Sequence, residues 1–539
     1  MDSRRSRPEL IGRRGAKKGE ASQRPNVTVS DTRLSLQGYS MPLAGMSDEL
    51  VREVKAELTV TPVSMSAKTY GAKPPSFELW RVGPTRMYVP KCYGLAKFGT
   101  EGLRDSVKDG SPFPKALKFA GSLRQEQLEP VRAYMAAAED PRKRGGILSL
   151  PCGCGKTVLA LYLTAHIGRK TLIVVHKNFL LEQWKKRIEE FLPGARIGLI
   201  KAKTVDVVDK DVVLASLQSL SMKTYDASVF ADIGLLIIDE VHHTGAEVFS
   251  RALQKTNVRR SLGLSATVTR KDGMTKVFAW YIGDVVYAMK SGDDEVDVIM
   301  KRYMSRDEAY SEEPMGYGGA LNMSRMINNV CRYAPRTELI VEYVREILTK
   351  NPGRKALVLS DRLEHLDAIK RGIECTVTET DTPENCCTCG MYVGGMKARD
   401  LAESETKRVI LATYNFASEG FDVPGLDTLF MASPKTDIEQ SVGRVLRQKA
   451  SDRKNVPLII DFVDGFSVFE GQAKKRKAFY AKKKYNIRLL DEDQIADFDG
   501  MANKAKDGTA EEPSLESDDE CPPSEEKEVA EYSFQCDDD

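Results

Sequence analysis

The chain has 539 residues, of which 29% are charged and 41% hydrophobic, and a formal net charge of +2. That length holds two or three domains, and no stretch approaches the roughly 20 uncharged apolar residues that a membrane-spanning helix needs, so a soluble, multidomain chain is expected. Ten cysteines lie between Cys92 and Cys536 without the density of a disulfide scaffold, which predicts free thiols in a reducing, intracellular compartment.

Charge is unevenly spread. From Asp507 onward Asp and Glu dominate, so the remainder is basic and suited to a polyanionic partner. Met1 to Arg14 is arginine-rich with no apolar run behind it, which is not the pattern of a secretory signal. Residues 1–45 carry few large apolar groups and read as a disordered basic N-terminus. Residues 46–118 mix strand-like pieces (Glu57 to Val60, Phe77 to Val82, Thr85 to Val89) and read as a small accessory domain.

Short apolar runs then alternate with helical patterns: Thr171 to Val175, Asp211 to Ala215 and Leu235 to Ile238, later Ala356 to Ser360, Val409 to Thr413 and Leu458 to Val463. Buried strands separated by helices predict parallel sheets covered on both faces. The expected fold class is α/β, with tandem domains over 119–290 and 291–490 joined near 285–295. Residues 491–539 read as an acidic disordered tail.

Pro151-Cys152-Gly153-Cys154-Gly155-Lys156-Thr157 follows the apolar run Ile147 to Leu150 and precedes a helical pattern. Strand, glycine loop and helix are the order of a phosphate-binding loop. The amides of Gly153, Cys154 and Gly155 would face phosphate oxygens, Lys156 would reach the β and γ phosphates, and Thr157 would hold Mg²⁺. Leu150 stands where the full pattern has glycine. Further on, Leu235 to Ile238 runs into Asp239-Glu240-Val241-His242. A buried strand ending in paired acids brings both to a sheet edge, where Asp239 can hold Mg²⁺ through water and Glu240 can activate the attacking water. Either element by itself has an ordinary reading, as a chance glycine turn or a solvated acidic turn, and their combination argues against both.

With these motifs the chain resembles the DExH-type helicases of superfamily 2, and among them the XPB-like group and the transcription helicases of large DNA viruses, over about residues 50 to 490. The resemblance implies two RecA-like lobes clamping ATP, movement along nucleic acid, usually 3′ to 5′, and a setting in the cytoplasm, nucleus or virion. Leu123-Arg124-Gln125-Glu126-Gln127 resembles the adenine-side segment, with Gln127 reading the base. Asp239-Glu240-Val241-His242 matches the motif that names the group and implies a catalytic role for His242. Ser265-Ala266-Thr267 matches the motif that couples hydrolysis to strand movement. Arg270-Lys271-Asp272 looks like the Arg-Glu-Asp element of XPB proteins with Lys271 in place of Glu. Thr413 and Ser418-Glu419-Gly420-Phe421-Asp422 resemble the fifth motif, implying a nucleotide contact for Asp422. Gln440 to Arg447 matches the sixth, and Gln440, Arg444 and Arg447 fall on one helical face, from which two guanidinium groups can reach a γ-phosphate on the other lobe.

The matching nucleic-acid track comprises His176, Lys177 and Gln183, then Ser216 and Gln218, then Asp361, Arg362 and Thr413, types suited to phosphate and sugar contacts. Trp184 beside Phe191 reads first as core, with a stacking platform as the alternative. The segment Lys474 to Tyr485 reads either as a grip on nucleic acid or as a basic helix with its aromatics packed inward. Cys375, Cys386, Cys387 and Cys389 are spaced poorly for zinc and read as a loop thiol cluster. The expected cofactors are ATP and Mg²⁺ and the expected partner is nucleic acid, DNA ahead of RNA. Competing readings are a binding scaffold with weak catalysis and the motor subunit of a restriction or repair complex.

Overall fold

A computed structural model describes residues 29–62, 75–114, 117–151, 153–241, 245–266, 273–289, 295–316, 319–375, 387–418, 423, 425–446 and 453–494. The segments before 29 and after 494, expected to be disordered, lie outside the described residues.

Strands β1 (Arg33–Ser35), β2 (Gly38–Pro42), β5 (Arg81–Val82), β6 (Arg86–Val89) and β7 (Arg104–Asp105) form a sheet in the order β5-β6-β2-β1-β7, and β3 (Thr59–Val60) pairs separately with β4 (Phe77–Glu78). The accessory region therefore begins before residue 46, and the expected disorder of 1–45 is corrected over 29–45. Leu34, Tyr39 and Met41 are fully buried on the two strands of a tight hairpin. Three large side chains in a polar stretch are too few to register in composition, yet period-two placement puts them all inside. Gly38 has φ 103°, and a Cβ there would lie 2.5 Å from the Val89 carbonyl oxygen, so the turn into β2 requires glycine. The expected strand from Glu57 is also shortened. Ser47 caps a helix, Asp48–Leu58, that buries Leu50, Val54 and Leu58 on one face and carries the chain through Glu57.

This region shares one apolar core with the sheet that follows, Leu34, Tyr39 and Val54 joining Leu236, Phe249 and Phe278 in a single cluster. Polar ties reinforce the junction: buried Lys91 donates to the Val258 carbonyl at 3.0 Å and Ser261 Oγ at 3.1 Å, and Asp109 accepts from Arg169 and Arg260.

The second sheet contains β8 (Gly145–Ser149), β9 (Thr171–Val175), β10 (Ile197–Lys201), β11 (Thr204–Asp206), β12 (Val212–Ser216), β13 (Leu235–Ile238), β14 (Arg260–Ser265) and β15 (Val285–Ala288), in the order β11-β10-β12-β9-β13-β14-β8-β15. All its pairings are parallel except β10 with β11. The third contains β16 (Asp297–Tyr303), β17 (Ala356–Ser360), β18 (Cys389–Tyr392), β19 (Val409–Thr413), β20 (Thr428–Met431), β21 (Leu458–Asp464) and β22 (Asn486–Leu490), in the order β18-β19-β17-β20-β21-β16-β22, parallel throughout. Ala356–Ser360 is thus the second strand of its sheet along the chain, after Asp297–Tyr303. The fold is α/β with two parallel-sheet lobes, and their central strands are apolar because both faces are covered.

The second lobe contains two fully buried ion pairs. Arg336 makes a forked pair with Asp464 at 2.6 and 2.9 Å while Tyr310 donates to the same carboxylate, and Arg476 donates to Asp461 at 2.8 Å. Arg476 and Tyr480 lie on a helix, Ser467–Lys482, that turns both inward and leaves Lys474, Lys475 and Lys477 exposed, the packed alternative for that basic segment. Residues 491–494, expected within the tail, lie against this lobe. The carbonyls of Asp491, Glu492 and Gln494 accept from Lys301, whose ammonium needs acceptors because its strand is buried. No described helix is long and apolar enough to cross a membrane.

Candidate functional site

In the first lobe the phosphate loop follows β8, Asp239 and Glu240 follow β13, and Ser265 ends β14, which lies between those two strands. Parallel pairing puts all three at the carboxyl edge of the sheet, where open α/β sheets bind ligands. Gly155 takes φ 70° as the residue before the helix Lys156–Ile167, and a Cβ there would meet Gln127 Nε2 at 2.7 Å. A side chain would thus strain the turn that aims the helix amides outward.

Lys156 Nζ donates to the Leu150 carbonyl at 3.3 Å and lies 3.5 Å from Glu240 Oε1. Glu240 has φ 47°, an uncommon conformation for a residue with a side chain, and it turns the chain sharply at the end of β13. Asp239 is buried. Its Oδ1 accepts from the Glu240 amide at 3.0 Å and its Oδ2 from the Trp184 indole at 2.9 Å. Burial, then the neighbouring Glu240 charge, raises the Asp239 carboxyl above the ordinary carboxylate range. Two adjacent carboxylates at the mouth of a phosphate loop suit a cation, so Thr157 and Asp239 fit the donor set expected for Mg²⁺. Gln127 is buried against the loop, with Nε2 2.9 Å from the Cys154 carbonyl and Oε1 accepting from the Arg124 amide, so its amide braces the loop and caps its own helix.

A cavity of about 690 Å³ is lined by Gly153, Lys156, Thr157, Gln183, Asp239 and Glu240 from the first lobe and by Arg444 from the second. Arg444 is buried on the helix Glu439–Val445, which also carries half-buried Gln440. Ser265 is buried, and its carbonyl accepts from the Leu150 amide at 2.9 Å, tying the expected coupling segment Ser265-Ala266 to the strand that precedes the glycine loop. His242, Thr267, Arg270 to Asp272, Asp422 and Arg447 lie outside the described residues, as do Cys152, Cys386 and the stretch 419–422.

A second cavity, of about 760 Å³, runs along the same edge toward β9 and β12. His176, Lys177, Ser216 and Gln218 line it from the first lobe, and Thr413, Asn415, Phe416 and Gly394-Gly395 from the second. Ser216 Oγ lies 3.1 Å from Gln218 Oε1 and Gln218 Nε2 donates to the His176 carbonyl at 2.8 Å, which fixes three expected track residues relative to one another. Gln183 lines the phosphate-loop cavity instead. Asp361 and Arg362 are not brought into this groove: Asp361 accepts from Lys435 at 3.0 Å, and Arg362 donates to Asn328 and the Ser324 carbonyl.

Trp184 is 2% exposed, the core position expected for it, and its indole N–H also donates to Asp239. The charged motifs did not signal Phe179 and Phe416, whose rings lie 5.7 Å apart across the two lobes at the groove. Phe179 stands one residue beyond Lys177-Asn178 and Phe416 three beyond Thr413, and aromatic side chains beside expected backbone contacts were the available clue. Among the described residues no group of three or more His, Cys, Asp or Glu is gathered as a metal centre, and Cys389 is buried at the start of β18.

Residues 120–270 match the family model described as "Type III restriction enzyme, res subunit". A candidate ATP-dependent RNA helicase of Acanthamoeba polyphaga mimivirus is 34% identical over 463 residues, covering 85% of this chain and 86% of that protein. A candidate helicase of Invertebrate iridescent virus 6 is 25% identical over 76% of this chain and 91% of its own length. One of Escherichia phage T5 is 27% identical over 61% and 70%. Identity at that level through nearly the whole length of the mimivirus protein spans both lobes and both cavities, and the chain belongs to the superfamily 2 helicases, enzymes that hydrolyse ATP.

Proposed function

We propose that this chain is a translocase that moves 3′ to 5′ along one strand of DNA in viral transcription or genome processing, using the 690 Å³ cavity for ATP and the 760 Å³ groove for the strand. The observation that carries this reading is that both lobes line both cavities, so closing one alters the other. Lys156 leaves Glu240 to bind the β and γ phosphates, Glu240 then takes the proton of the attacking water, and Arg444 meets the negative charge that develops on the transferred group. Thr157 and Asp239 would hold Mg²⁺, which neutralises phosphate charge when bound. The groove offers hydroxyl, amide and main-chain groups, which grip a backbone without reading bases. An intact set of charged groups around the first cavity weighs against a catalytically weak scaffold.

The DNA track and its polarity rest on the likeness to the XPB-like group, and the mimivirus relative is named for RNA. The test compares ATPase stimulation by single-stranded DNA, duplex DNA and RNA, followed by displacement from 3′- and 5′-tailed duplexes. Single-stranded DNA should stimulate most and a 3′ tail should be required. Preferential stimulation by RNA would reassign the track.

A further inference from the structure

Trp184 uses its one polar atom on Asp239. The indole N–H donates to Oδ2 at 2.9 Å while the Glu240 amide holds Oδ1 at 3.0 Å, so the carboxylate is gripped at both oxygens and has one orientation. Filling the core would need only an apolar side chain of similar size, whereas a buried indole N–H needs an acceptor, and here the acceptor is the acid of the nucleotide site.

The helix that carries Trp184, Asn178–Phe191, serves both cavities. Its first turn, Asn178 and Phe179, lines the strand groove, and Phe179 meets Phe416 of the second lobe at 5.7 Å. Its next turns, through Leu180, Gln183 and Trp184, line the nucleotide cavity. Leu180, Leu181, Trp184 and Ile188 are buried on one face, so the helix is seated as a unit, and Phe179 and Trp184 are separated by about 7.5 Å of helical rise. A shift of the helix by under an ångström would carry the 2.9 Å bond past hydrogen-bonding range.

We propose that Trp184 is a positioning residue for Asp239, and that through it the helix Asn178–Phe191 makes the orientation of that carboxylate depend on whether the strand groove is filled. This rests on the reading of Asp239 as the residue that holds Mg²⁺. In this role Trp184 acts through Asp239, to which its indole N–H donates, and not on the reacting atoms.

The test uses the full chain. Trp80 and Trp280 are the other two tryptophans, so a Trp80→Phe/Trp280→Phe background makes Trp184 the sole indole reporter. Its emission should change when ADP is added with Mg²⁺ but not with EDTA, and should change when an oligonucleotide is added without nucleotide. Asp239→Asn in that background should abolish both responses. In the otherwise unaltered chain, Trp184→Phe should raise the Mg²⁺ concentration for half-maximal ATPase by about tenfold, the scale of a hydrogen bond to a charged group, and should reduce the ratio of nucleic-acid-stimulated to basal turnover. It should add nothing in an Asp239→Asn background.

A Trp184→Phe protein that only melts earlier, with Mg²⁺ dependence and stimulation ratio unchanged, overturns the proposal. So does Trp184 emission that ignores Mg²⁺ and oligonucleotide, a readout that does not require the Trp184→Phe protein to fold. If Asp239→Asn leaves the Mg²⁺ dependence of nucleotide binding unaltered, the reading of Asp239 fails and this inference fails with it. If Asp239→Asn alters that dependence and Trp184→Phe does not, the inference alone fails.

Discussion

Lys156 and Glu240 lie 3.5 Å apart across the mouth of the nucleotide cavity, the ammonium of the phosphate loop facing the acid proposed as the base. On the proposed reading an arriving γ-phosphate would compete with this carboxylate for the same cation, making binding and release of the base one event. Lys156→Ala is expected to abolish hydrolysis without unfolding the chain, because it deletes a phosphate contact and no core volume. Glu240→Gln should differ, keeping nucleotide and losing turnover. ATPase rates alongside ATP-binding isotherms separate the two, and near-normal hydrolysis by Lys156→Ala would remove the phosphate-loop assignment.

Lys91 ties the accessory region to the first lobe at a pH-dependent cost. Burial lowers its ammonium from 10.5 to about 8. Between those values the unfolded chain binds more protons at this site than the folded one, so folding stability from this group rises with pH through that window. Lys91→Met removes the titration and also leaves the Val258 carbonyl without that donor. Urea unfolding at pH 7.5 and 10 should show the native chain gaining on Lys91→Met as pH rises. An equal response in both would mean that Lys91 does not titrate there.

The Arg336–Asp464 pair is fully buried, and Tyr310 shares the same carboxylate. Removing one partner strands a charge, so Arg336→Met should destabilise the second lobe by about 3–5 kcal/mol, while a double replacement with apolar residues of matched volume should recover much of the loss. Hydrogen exchange of the β17, β19 and β20 amides reports this lobe directly, and faster exchange confined to it is the expected result. Unchanged protection in Arg336→Met would show that the pair contributes nothing net.

The central strands were legible because nothing competes with burial there. Thr171–Val175, Leu235–Ile238, Ala356–Ser360 and Val409–Thr413 are continuous apolar runs covered on both faces, and their bounds are those of the runs. Asp297–Tyr303 was not legible, because it begins with an acid and carries Lys301 and Arg302, whose polar ends find partners that only the folded chain supplies. The hairpin at Arg33–Pro42 hid for the same reason, its three apolar anchors diluted by polar neighbours. At the site, charged motifs named the groups around the phosphate loop, but Trp184 to Asp239 and Phe179 to Phe416 are contacts between distant segments, and neither partner is unusual where it stands in the chain.

Arg444 lines the same cavity as Lys156, from the second lobe, and is buried there. A guanidinium carried on a separate lobe meets the γ-phosphate fully only when the lobes close, so it should stabilise the transition state more than bound ATP. Arg444→Ala is accordingly expected to lower kcat by about 10³ to 10⁵, the range for such fingers, with a far smaller change in ATP affinity. From the sequence spacing alone, Arg447→Ala is expected to behave alike. Nucleic acid in the groove, as proposed, would contact both lobes, so the defect should be larger in stimulated than in basal turnover. Single-turnover hydrolysis with and without oligonucleotide, set beside nucleotide binding, makes the comparison. Wild-type stimulated rates in both variants would sink the two-lobed mechanism even with Lys156 correctly assigned, whereas a loss of ATP binding equal to the loss of rate would make Arg444 a ground-state contact.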